Sequence, residues 1–292
     1  YNIMRFLIYV LLLISAFPLC AQDTFWDDFD NLDVSTFEAQ NDLAFGSLNT
    51  NDFPSGRIYD RTDYNSKVLS FDGNNLTDKI NYDDWLAMYN EMRASIHPSS
   101  NISTQPSVVK IWYDANQVYE ETDDAIINGN LNVPIGIINY NYHKLKDYAV
   151  ANNLIFADGQ ELKNTPGATE NPFEQRKLFA AVPMIDTVES TTLNFKIGTD
   201  FYVQNDCSSW TSLQIDFGDG LGLQSVSTGN TYTVNYNGAG EKTLYFEMTC
   251  GSQVLRNYAT FYVDSDDLSF TENNGFSYDR VWNIFENGRK GK

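Results

Sequence analysis

From Lys177 to Val263 the chain is a succession of short apolar, β-type segments divided by Gly, Asn, Asp and Ser at roughly every ten to fifteen residues. The segments cover 178–183, 192–197, 201–204, 212–217, 231–236, 242–248 and 257–263. Strands this short cannot bury a core in one flat layer. They predict two antiparallel sheets packed face to face, an immunoglobulin-like β-sandwich over 176–264. The whole chain supports a mainly β reading, because aromatics make up 14% of it and Tyr and Phe dominate them.

Within that region Ile215-Asp216-Phe217-Gly218-Asp219-Gly220 is followed by Val234-Asn235-Tyr236, by a glycine turn at Asn237-Gly238-Ala239-Gly240, and by Lys242-Thr243-Leu244-Tyr245-Phe246. This run resembles the W-D-F-G-D-G signature of PKD domains, over 177–263. Ile215 stands where the signature has Trp, Val234 stands where a histidine precedes the tyrosine, and Gly222 lengthens the turn, so the resemblance is to a divergent member. Physically, Ile215 and Phe217 fall on one face of a strand, and the Asp carboxylates can accept backbone N–H bonds in the turn. The resemblance implies a spacer, adhesion or substrate-presenting appendage of a larger secreted or surface protein, and it transfers no catalytic residue.

Residues 22–175 read as a β-rich region with one helix near 82–96. Asn81 is placed to cap that helix, Asp83 and Asp84 suit its first turn, and Trp85, Met88, Tyr89 and Met92 repeat at helical spacing as core contacts. Residues 68–71, 108–113 and 133–142 read as strands, with a hairpin turn at Asn128-Gly129-Asn130. On the last strand, alternation places Ile138, Tyr140 and Tyr142 on one face and Asn139, Asn141 and His143 on the other, with His143 at the surface. A Gly-, Asn- and Pro-rich stretch predicts a boundary near 171–175. Residues 265–292 read as an acidic linker and the start of a further unit.

The first residues predict export. Arg5 precedes an apolar run over 6–14, too short to span a bilayer, and Cys20-Ala21-Gln22 offers a cleavage point, so 1–21 reads as a signal peptide. Leu19 before Cys20 argues against lipidation. No transmembrane segment is expected once the leader is removed. The formal net charge of −20 repels phosphate backbones, which excludes nucleic acid as a partner. Cys207 and Cys250 both fall in the sandwich region, where an oxidising compartment would allow them to pair or leave them free.

Chemistry is sparse. His97 and His143 are the only histidines, and no H-E-x-x-H, G-x-S-x-G or D-[ST]-G occurs, so no catalytic residue is assigned. Calcium is the one cofactor with a ligand set to consider. Asp216 and Asp219 in the signature turn, with Asp264 and Asp266 after the last strand, are hard oxygen donors, although an acidic linker explains the latter pair as well. Tyr140 and Tyr142 are candidates for stacking on sugar rings if their face is exposed, and core residues if it is buried. The function expected is a non-catalytic extracellular structural or interaction module, a spacer or an adhesion unit contacting a polysaccharide or an extracellular protein. The alternative is the accessory N-terminal region of an exported hydrolase whose catalytic domain lies beyond Lys292.

Overall fold

The computed structural model describes residues 43–59, 67–74, 79–97, 111 and 131–264. The leader, the Asn128–Asn130 turn, Asp266 and the segment 265–292 lie outside the described residues. In chain order the elements are α1 (Lys67–Ser70), β1 (Lys79–Ile80), α2 (Tyr82–Ala94), β2 (Leu131–Leu145), β3 (Ile155–Asp158), β4 (Glu161–Asn164), β5 (Phe173–Pro183), β6 (Thr187–Val188), β7 (Thr192–Lys196), β8 (Tyr202–Gln204), β9 (Ser212–Asp216), β10 (Leu223–Val226), β11 (Thr231–Asn235), β12 (Gly240–Cys250) and β13 (Gln253–Val263).

The protein is mainly β, with two mixed sheets packed together. One runs β1-β13-β12-β9-β10, with β6 also on β13; the other runs β11-β7-β2-β5, with β8 also on β2. Each segment expected between 178 and 263 is a strand. β10 is a further strand that its polar text, Leu-Gln-Ser-Val, did not announce. The strict alternation of β13, apolar inward at Leu255, Ala259, Phe261 and Val263, meets Leu244, Phe246 and Met248 of β12 on the same inner face. Each fully buried side chain of this kind contributes about 1.5–3 kcal/mol.

The second sheet departs from a sandwich confined to 176–264. Its central strand is β2, which pairs with β5 over eleven residues from Leu145↔Phe173 to Ile135↔Pro183. One buried cluster runs from Tyr59 through Trp85 and Tyr140 to Val263, so the compositional boundary at 171–175 coincides with no break in the core.

Helix α2 covers the other face of β2 and β5. It begins as expected: Asn81 Oδ1 accepts from the Asp84 amide, Asp84 returns a bond to the Asn81 amide, and Arg93 lies in the last turn. Trp85, Met88, Tyr89 and Met92 are buried, and Trp85 Nε1 donates to Ala180 O at 3.2 Å. A side chain at position 136 would strike Met184 and Trp85, so Gly136 lets the helix approach.

One expected strand is corrected, and a second is contradicted at its one described residue. Residues 67–70 form one helical turn, with Val68 and Phe71 buried three apart on one side. Ile111, the one described residue of 108–113, is helical and buried. Short apolar runs carry no period long enough to separate the two states. A smaller cluster, built on Phe53, Ile58, Ala149 and Phe173, lies under the β3–β4 hairpin.

Candidate functional site

Antiparallel pairing turns the main-chain groups of alternate residues toward the partner strand and those of the others away. On β5, Phe179 and Ala181 face away from β2: the Phe179 amide donates to Phe71 O at 2.7 Å, and the Ala181 amide donates to Asn257 Oδ1 at 2.9 Å. The unbroken register places Gln175 and Lys177 on that same open edge. On β13 the Arg256 amide faces outward to Gly73 O at 2.9 Å, which puts Val254 in the same orientation. The bend at Phe71–Gly73 therefore joins the two sheet edges. Below it the main-chain groups of Gln175, Lys177 and Val254 have no partner among the described residues.

Between these edges lies a groove of about 520 Å³. Gln175, Arg176 and Lys177 form one wall and Gln253, Val254 and Leu255 the other, with Tyr142, Asn141, Asp72, Asn74 and Leu69 completing it. The cations are held locally: Arg176 bonds Glu174 at 2.6 Å, and Lys177 bonds Asp206 at 2.5 Å. Asp72 accepts from the Asn74 amide and has no ion-pair partner among the described residues. Tyr142 is 1% exposed, and its hydroxyl has no hydrogen-bond partner among the described residues. Burial pushes that phenol well above its ordinary range.

The expected site residues fall as follows. Tyr140 and Tyr142 are both buried, so neither ring is a stacking platform. Tyr140 instead carries Arg57 over its ring at 4.2 Å and bonds Arg57 Nη2 at 3.2 Å. Arg57 is fully buried, donates to Met92 O at 2.6 Å, and is pulled below its ordinary pKa by desolvation. His143 is not at the surface. It is 5% exposed, with Nδ1 2.7 Å from Ser55 Oγ, and the chain at 57–59 pairs with the edge of β2 there, the His143 amide donating to Arg57 O and the Tyr59 amide to His143 O. His97 is buried against Phe53, with Nε2 2.9 Å from Phe45 O.

Asp216 Oδ1 accepts from the Gly218 amide and Asp219 Oδ1 from the Leu221 amide, so both carboxylates shape the turn. Tyr236, the tyrosine that follows the motif, donates to Phe217 O at 2.7 Å and ties that turn to the opposite sheet. The Asp264 amide bonds Val188 O at the end of β13. Among the described residues no three His, Cys, Asp or Glu side chains gather as a metal site. Cys207 and Cys250 are joined by a disulfide between the segment after β8 and the end of β12. Among the described residues no helix is long and apolar enough to cross a membrane.

Two asparagines act as substitutes for missing strand backbone. Asn257 grips Ala181, and Asn205 grips Asn141, accepting from its amide at 2.7 Å and donating to its carbonyl at 2.8 Å. A carboxamide carries the same donor and acceptor pair as a peptide unit. Nothing in the local text marks such a role. No family model matches the chain, and no curated protein matches it either.

Proposed function

We propose that this chain is a non-catalytic interaction module of an exported protein, acting outside the cell or at its surface. The observation that carries the reading is the groove at the mouth of the sandwich, where both sheets present main-chain donors and acceptors that have no partner among the described residues, beside the Asp72 carboxylate and the buried Tyr142 phenol. Open strand edges are recognition surfaces when they are not covered. The Cys207–Cys250 bond supports an oxidising compartment, and the resemblance over 177–263 to PKD-like modules supports a contact or spacing role. The turn carboxylates Asp216 and Asp219 are engaged by backbone, which favours a framework task for them.

The test is an array of glycans and extracellular matrix proteins probed with the oxidised full chain, with and without Ca²⁺. Reproducible binding that is lost when the groove residues Asp72 and Arg176 are replaced, with the melting temperature retained, is the expected result. Hydrolysis of any arrayed polymer, or binding that ignores the groove, would overturn the reading.

A further inference from the structure

Resting on that reading, we infer that the groove takes an extended peptide segment bearing a Lys or Arg, which adds as a strand to the open edge of β5. Three observations lead there. The first is the edge itself. Gln175 and Lys177 turn their N–H and C=O groups into the groove, because Phe179 and Ala181, two and four residues further along the same unbroken register, bond outward to Phe71 O and Asn257 Oδ1. Main-chain groups presented in this way are satisfied by an added strand.

The second is that the protein already pairs this edge with its own chain one step higher, where Phe71 O takes the Phe179 amide. The bend at Gly73, with φ +82°, then carries the chain away to β13. The pairing stops at the bend and the groove opens where it stops. The Val254 edge and Leu255 supply the opposite wall, so an inserted segment would be flanked on both sides.

The third is charge. Arg176 and Lys177 are neutralised by Glu174 and Asp206, which leaves Asp72 as the lining charge with no ion-pair partner among the described residues. The chain as a whole carries −20. Local and long-range fields agree in favouring a cationic occupant. The Tyr142 hydroxyl, which has no hydrogen-bond partner among the described residues, adds one more hydrogen-bonding group to the lining.

The experiment is selection of a random linear peptide library, displayed on phage, against the oxidised full chain, followed by titration of the selected peptides. Gln175 is exposed and its amide points away from β2, so Gln175→Pro deletes one groove donor while leaving the β2 ladder intact, whereas Gln175→Ala keeps the donor. Melting temperatures of both variants check that the fold persists. The expected result is enrichment of β-branched peptides with a basic residue. Their affinity should fall roughly tenfold in Gln175→Pro, the effect of one main-chain hydrogen bond, and stay near wild type in Gln175→Ala. Asp72→Asn should weaken the basic peptides selectively.

Selected peptides that bind a folded Gln175→Pro protein as well as wild type would overturn the inference. If no peptide is enriched but the glycan array gives groove-dependent binding, the peptide inference fails and the interaction-module reading stands. If both are silent, both fail.

Discussion

Asn257 holds the backbone of Ala181 at two points, its Oδ1 accepting from the Ala181 amide at 2.9 Å and its Nδ2 donating to the Ala181 carbonyl at 2.8 Å. Both residues are fully buried and belong to different sheets. The pair thus welds β13 to the free edge of β5. Replacing Asn257 by Leu keeps the approximate volume but leaves two buried main-chain groups unpaired, which should cost about 2–5 kcal/mol in chemical denaturation.

Asn257→Asp gives the same contact a pH dependence. A buried carboxylate would face the Ala181 carbonyl, so burial holds its folded pKa above the unfolded value of about 3.9. The deficit relative to wild type should be fully present above the folded pKa and shrink as pH falls toward the unfolded one, where a protonated carboxyl can donate to the carbonyl. A deficit that is constant across the acid range would count against the contact.

The Cys207–Cys250 disulfide spans a sequence separation of 43. Loop-closure entropy gives about 4 kcal/mol for a loop of that size. The Cys207→Ser, Cys250→Ser double variant should lose most of that in a denaturant titration, and wild type should show the same loss in reductant. Coincident curves for oxidised wild type and the double variant would refute the prediction.

His143 should make the fold acid-sensitive in a defined window. Burial lowers its folded pKa below the ordinary value of 6.5. The unfolded chain therefore binds the proton first as pH falls. This contribution is complete above 6.5 and is lost as pH drops from there toward the folded pKa. The melting temperature of wild type should begin to fall as pH drops below 6.5, above the range where ordinary carboxylates titrate. His143→Gln should flatten that slope.

The two glycines of the signature turn should respond very differently to alanine. Gly218 has φ +72°, and a Cβ there would lie 2.5 Å from Thr243 O, a backbone atom that cannot move aside. Gly220 has φ +88° but nothing within 4 Å of its Cβ position. Gly220→Ala should cost about 1–2 kcal/mol from backbone conformation alone, and Gly218→Ala distinctly more. Thermal denaturation of the two variants orders them directly.

The parts of this fold that were legible in the sequence are those in which one strand has one wet face. The alternation in β12 and β13, and the turn residues between the strands of 177–263, determine the sandwich directly. Helix α2 was legible for the same reason, since Asn81, Asp84 and the Trp85–Met92 spacing give three independent signals. β2 was legible as a strand, but the burial of Asn139 and His143 was not, because it depends on neighbours such as Ser55 that are distant in the sequence, and alternation within β2 carries no trace of them. Val68 and Phe71 misled for a different reason, as a four-residue apolar run fits one helical turn as well as a strand. The groove was not legible at all. Its character comes from main-chain groups of Gln175, Lys177 and Val254 that are left over by pairing elsewhere, and residue type does not encode what a neighbouring strand leaves unpaired.

The placement of β2 at the centre of the second sheet has an evolutionary reading. Sandwich units are often shuffled between genes as self-contained cassettes, cut where the linker composition suggests. A crossover at 171–175 would here deliver β5, β7, β8 and β11 without the strand on which three of them are hung, with Ala180 stripped of Trp85. Recombination that preserves this protein must therefore carry the α2–β2 region with the sandwich, and lineages of the two segments should share one ancestry.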